Sequence, residues 1–208
     1  MPEINFRIRV FGDPALRKKA QPVKEITQEH RDVLSVMSRL MYADSGIGLA
    51  ATQVGINESM IVVDIGSGLY KLINPKIVKR EGYQVLEEGC LSVPGICIKV
   101  KRNKKILFEA LDEFGKPLKI EAEGLLACVF QHEIDHLKGK LIVDYASFVD
   151  KLKIRKKIVE LKKRFQDEPR PSYNNDKLNK RKNGIYLGKE ERGENLPESK
   201  TKSRQLQL

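Results

Sequence analysis

Three histidines occur in 208 residues, and two of them fall in Gln131-His132-Glu133-Ile134-Asp135-His136. Side chains four apart on a helix lie on one face, about 6 Å apart at Cβ. His132 and His136 can therefore close on one metal ion while Glu133, turned about 100° around the helix, flanks it. Two imidazoles and an adjacent carboxylate are the outline of a hydrolytic metal site, in which the ion activates water and the carboxylate takes its proton. The plainer reading is a pair of surface histidines facing carboxylates. It fits poorly here, because Leu125, Cys128 and Val129 continue the His132 face toward the helix start as apolar surface. Imidazoles without partners would be costly in such surroundings.

A catalytic site of this kind takes three protein ligands and leaves one position open. A longer three-histidine pattern would place the third at position 142, which is Ile142, although Gly139 matches it. Glu160 lies on a lysine-dense helix, where a surface ion pair is its expected role. His30 has polar neighbours in the first helix and reads as a solvated surface residue. Cys128 sits one turn before His132 on the same helix, where three ligands in a row cannot easily surround a tetrahedral ion, so it reads as core. Cys97, in Gly95-Ile96-Cys97-Ile98, has no polar company. Cys90 stands in Glu88-Gly89-Cys90-Leu91-Ser92, where Gly89 permits a turn that presents a thiolate and nearby peptide N–H groups to a ligand. Cys90 is the expected third ligand, and the set suits zinc, ferrous iron, nickel or cobalt.

The elements that must position these residues follow from periodicity. Residues 27 to 43 predict a helix with Thr27 as N-cap and Val33, Leu34, Met37, Leu40 and Met41 on one face. Residues 60–63 and 70–73 predict strands, the second ended by Asn74-Pro75, and residues 77–78 and 83–86 predict two more. Residues 106–111 and 118–122 flank Glu113-Phe114-Gly115-Lys116-Pro117 and predict an antiparallel hairpin. The histidine helix spans about 124 to 137, with Gly139 just past its end. A second amphipathic helix, 150–165, carries Ile154, Ile158, Leu161 and Phe165 on one side and eight lysines and arginines around them. The expected architecture is α+β: antiparallel or mixed strands packed around a central metal-bearing helix, with a catalytic domain at 1–149 and a basic C-terminal helix at 150–165. Residues 166–208, poor in apolar side chains, read as a disordered basic tail whose burial could not offset its ordering entropy.

A chain of this length buries roughly 70% of its unfolded surface without a staple, so a metal here serves chemistry. Three cysteines cannot all pair with one another, and no secretory signal precedes Pro2-Glu3-Ile4-Asn5. A reducing cytoplasmic setting is expected. No run of eighteen apolar residues predicts a membrane span. The net charge of +11 by itself suggests nucleic acid, a ribosome or an anionic membrane surface as partner, and a merely solvated lysine-rich face accounts for it as well.

Three motifs in order, Gly46-Ile47-Gly48-Leu49-Ala50-Ala51-Thr52-Gln53, then Glu88-Gly89-Cys90-Leu91-Ser92, then Gln131 to His136, give the sequence a resemblance to the peptide deformylases. The absence of an insertion between the first two resembles the bacterial type 1 branch, and the likeness in layout covers about residues 1 to 165. The first motif also fits a dinucleotide pattern, but that pattern must follow a strand and open a helix, whereas this one follows a helix. The resemblance implies that the substrate is the N-formyl-methionyl end of a nascent polypeptide and that formate is released. It implies Glu133 as general base, the Gln53 amide and the Leu91 N–H as donors to the formyl oxygen, and Ile47 and Gly48 as a wall for the peptide backbone. It implies Fe2+ in the cell, with Zn2+, Ni2+ or Co2+ as substitutes, and ribosome docking through the basic C-terminal helix. Ile47, Leu86, Leu125, Cys128 and Val129, in or beside the motifs, are expected to line an apolar slot for methionine. Asp135 and Arg102 are expected to form an ion pair behind the site. Cys97 stands where many type 1 relatives carry arginine.

Overall fold

The computed structural model describes residues 6–167. The expected tail lies outside the described residues from position 168 onward. Along the chain run helix α1 (Gln28–Ala43), strands β1 (Gly48–Ala50), β2 (Met60–Val63), β3 (Tyr70–Glu81), β4 (Gln84–Glu88), β5 (Ile98–Arg102), β6 (Lys105–Asp112) and β7 (Pro117–Glu123), then helices α2 (Gly124–Leu137) and α3 (Phe148–Asp167). Five strands form one sheet in the order β1-β2-β3-β6-β7, and β4 and β5 form a separate two-stranded sheet. Every ladder is antiparallel. The α+β expectation holds. No helix among the described residues is long and apolar enough to cross a membrane.

Residues of β2 are buried without alternation because both faces of the sheet are covered. Ile61 and Val63 join α2 in one apolar cluster, while Met60 and Val62 join Leu34, Met37 and Met41 of α1 in another. Phe130 fixes α2 on the sheet, stacking on Phe108 of β6 at 4.2 Å between ring centroids and meeting Tyr70 edge-on at 5.7 Å. Truncating such a side chain typically costs about 3–5 kcal/mol. The histidine helix is thus central, with Ala127 through Ile134 all buried.

Two sequence expectations are corrected, and one strand is new. Asn74-Pro75 does not end a strand, because β3 continues to Glu81 through a bulge in which Asn74 and Pro75 together face one residue of β6. Asn74 adopts φ 53°, a left-handed conformation that asparagine tolerates, and its side chain both donates to the Val23 carbonyl and accepts from the Val23 N–H. His30 is more than a solvated surface residue: its Nδ1 accepts from the Thr27 backbone N–H at 3.0 Å and its Nε2 faces Glu58 at 3.3 Å, capping α1. Strand β5 was not anticipated, although Ile98, Val100 and Arg102 alternate as buried residues with exposed Lys99 and Lys101.

Helix α3 starts two residues before the expected position. Leu161 is buried, with Ile154 and Ile158 beside it, in the cluster that includes Cys90, Val93, Ile98 and Leu141. Glu160 pairs on the surface with Lys157 at 3.5 Å, as its setting predicts.

Candidate metal centre

Cys90 lies two residues past the end of β4, and its Sγ lies 3.2 Å from His136 Nε2. His136 Nε2 is in turn 3.1 Å from His132 Nε2, and all three side chains are buried. Cys90, His132 and His136 form the group able to hold a metal ion among the described residues, their ligand atoms all within 4.8 Å of one another. Donors around a tetrahedral ion with ordinary zinc-type bond lengths stand about 3.3–3.6 Å apart, and the two pairs that share His136 Nε2, at 3.2 and 3.1 Å, are close to that spacing. Cys97 and Cys128 stay outside it, and both are free thiols.

A second observation supports the fit. Both oxygens of Glu133 are buried without a hydrogen-bond partner, as is His136 Nδ1. Burial, with Glu88 adding to it, pushes the Glu133 carboxyl well above the usual carboxylate range. A carboxyl aimed at nothing is costly in a closed protein and sensible in a site that receives water or substrate. Room for it comes from Gly48: a Cβ there would overlap Glu133 Oε1 and meet Val129 Cγ1 at 3.0 Å.

Electrostatics prepare the ligands. Burial works to raise the Glu88 carboxyl, but Arg102 and His132 overcome it and hold the group at about 2. An ionised carboxylate only accepts, so the His132 Nδ1 at 2.9 Å from Glu88 Oε2 carries the proton and Nε2 presents its lone pair to Cys90 and His136. Burial, and then the neighbouring His132, press the His136 pKa well below its ordinary value, which favours the neutral imidazole a metal needs. Burial likewise pushes the Cys90 thiol up, so a cation is what would draw off its proton.

The anticipated Arg102 and Asp135 pair is present, with Arg102 Nη1 on Asp135 Oδ2 at 2.5 Å. Tyr145 covers it, the ring 4.9 Å from the guanidinium and the hydroxyl donating to Asp135 at 2.7 Å. Gln53 sits in the short turn Ala51–Val54, where its Oε1 accepts from the Ala50 N–H at 2.8 Å. Its Nε2 donates to Ser92 Oγ at 3.1 Å and lies 3.8 Å from Cys90 Sγ. Leu91 is buried between these two residues in the chain, against α1 and β1. Ile47, Leu86, Leu125, Cys128 and Val129 meet in a single apolar cluster. The Cys128 thiol, however, is directed at Glu88 Oε1, 3.2 Å away. Glu88, Ser92 and Tyr145 were not singled out from sequence. The sole signal for Glu88 was its place in the cysteine motif.

The family model described as polypeptide deformylase matches residues 6–152. The chain belongs to the polypeptide deformylase family. Among curated peptide deformylases, that of Syntrophomonas wolfei is 56% identical over 141 residues, covering 68% of this chain and 93% of its relative. That of Halothermothrix orenii is 51% identical over 141 residues, covering 67% and 92%. The fold also matches the crystal structure of a peptide deformylase from Legionella pneumophila with a TM-score of 0.72 and 40% identity, over 79% of this chain and 99% of that one. Polypeptide deformylases are hydrolases that remove the formyl group from the N-terminus of nascent peptides, and this is the chain's activity.

Proposed function

We propose that Cys90, His132 and His136 hold one divalent cation, ferrous iron in the cytoplasm, and that Glu133 is the general base of formyl-methionine deformylation. Held by Cys90, His132 and His136, the cation would supply Lewis acidity and make water more acidic. Glu133 is placed to accept a proton from the attacking water as its oxygen adds to the formyl carbon. Negative charge builds on the formyl oxygen, where the second N–H of the Gln53 amide and the Leu91 backbone N–H donate. Ser92 and the Ala50 N–H hold Gln53 so that it has little freedom to turn away. The carbon–nitrogen bond then breaks, Glu133 returns its proton to the leaving amine, and formate remains. Strand β1 is an edge of its sheet, so a peptide can add beside Ile47 and Gly48 as a further strand. The methionine side chain enters the apolar cluster at Leu86, Leu125 and Val129.

The observation that carries this reading is the unpartnered, buried Glu133 carboxyl beside three convergent ligand atoms. Glu133→Gln tests it. The variant is expected to retain a full equivalent of metal and to lose formate release by about a hundredfold or more, measured on a short formyl-methionyl peptide. Wild-type turnover by Glu133→Gln would rule out the assignment.

We also propose that residues 1–149 form the catalytic domain and that the basic helix at 150–165 docks on the ribosome. Lysines and arginines exposed along α3 support that role, because phosphate contacts need a dense, accessible positive face.

A further inference from the structure

We infer that Cys128 is a positioning residue of the metal centre, the donor that completes the set of hydrogen bonds holding Glu88 on His132; this rests on the metal reading of Cys90, His132 and His136. An ionised carboxylate offers about four acceptor positions, two on each oxygen. All four are taken at Glu88, which is fully buried. Oε1 accepts from Arg102 Nε at 2.7 Å and from Cys128 Sγ at 3.2 Å, while Oε2 accepts from Arg102 Nη2 at 2.9 Å and from His132 Nδ1 at 2.9 Å. Arg102 grips both oxygens from β5. The other two donors come from a single turn of α2, because Cys128 and His132 are four residues apart on one face.

That arrangement gives the thiol a specific task. Arg102 holds both oxygens of the carboxylate, and the S–H and the imidazole N–H each add a second donor, one on each oxygen. Remove the S–H and Oε1 loses its partner on the helix side, leaving one lone pair unsatisfied in a closed interior. The carboxylate can then rock about its Arg102 contacts, which lengthens the bond to His132 and loosens the ring that points Nε2 at the metal. Outer partners of metal-bound histidines commonly change metal affinity by about 10- to 100-fold when lost. A thiol is a weak donor, which places Cys128 at the low end of that range.

The test is metal binding by the full chain. Wild type, Cys128→Ala and Cys128→Ser are stripped of metal and titrated with Co2+ against a chromophoric chelator, and the visible absorption band of each Co2+ form is recorded. The inference expects Cys128→Ala to bind Co2+ about tenfold more weakly with a shifted band. Cys128→Ser, which keeps a donor at the same place, should stay within about twofold of wild type. Equal affinity and an unchanged band in Cys128→Ala would overturn it, as would Cys128→Ser falling as far as Cys128→Ala. A change confined to KM for formyl-methionyl peptide, with Co2+ binding intact, would make Cys128 a pocket wall instead. Failure of the wild type itself to take up Co2+ would overturn the metal reading on which the inference stands.

Discussion

Glu133 and Gly48 show in one contact how the centre is built at the scale of single residues. The carboxyl occupies a volume beside the candidate ligands Cys90, His132 and His136, and the chain provides it by omitting a side chain on the neighbouring edge strand. Gly48→Ala is therefore expected to displace Glu133 while leaving Cys90, His132 and His136 in place. Formate release should fall by about a hundredfold, since small misplacements of a reacting group cost that much, with metal content by elemental analysis unchanged. Loss of metal along with activity would mean that Gly48 supports the whole centre. The candidate ligand set and Glu133 were legible in the sequence because the hydrolytic chemistry proposed for them demands those residue types at fixed spacing. Glu88 was not, because its meaning lies in partners 14 and 44 residues away, Arg102 and His132, that only the fold brings together.

At the scale of elements, the long periodic helices were legible, since apolar residues recurring every three to four positions over several turns line up on one side only in a helix. The strands were legible where a turn sequence punctuated them, as between β6 and β7. They were misread where the punctuation was itself part of the sheet, as at Asn74-Pro75, whose bulge lets proline occupy a strand without breaking it. Strand β5 escaped notice because its alternation includes an arginine in an inward position, which pattern reading counts as polar. Helix α3 combines two roles on two faces. Leu161, Ile154 and Ile158 seal the cluster that contains Cys90, and lysines occupy the remaining surface. Reversing charge at Lys153, Lys156 and Lys163, all exposed, is expected to leave hydrolysis of a short formyl peptide unaffected and to weaken ribosome binding in a cosedimentation assay, with a reduced dependence on salt. Ribosome binding equal to wild type would remove α3 from that role.

Across the whole molecule, segments far apart in sequence are tied together around α2. Arg17 grips Asp144 through two hydrogen bonds of 2.6 and 3.0 Å, linking the N-terminal segment to the turn after the histidine helix, and Asp144 Oδ2 also accepts from the Leu141 N–H. Burial works to raise the Asp144 carboxyl, but Arg17 and the Leu141 N–H hold it below its ordinary value of 3.8. A lowered folded-state pKa means that the stabilisation is fully present above pH 3.8 and fades as the pH falls below it. Asp144→Asn is accordingly expected to cost about 1 kcal/mol at pH 7, the modest figure reflecting a solvent-screened pair, and progressively less toward pH 3, as read from urea unfolding. A difference independent of pH would assign the loss to packing alone. The larger convergence is that of the middle loop with the late helix, where Cys90 meets two histidines more than forty residues away. X-ray absorption on the Co2+-loaded protein tests it most directly. One sulfur scatterer at about 2.3 Å and nitrogen or oxygen scatterers at about 2.0–2.1 Å around a single cobalt are predicted. A cobalt shell without sulfur would contradict the account.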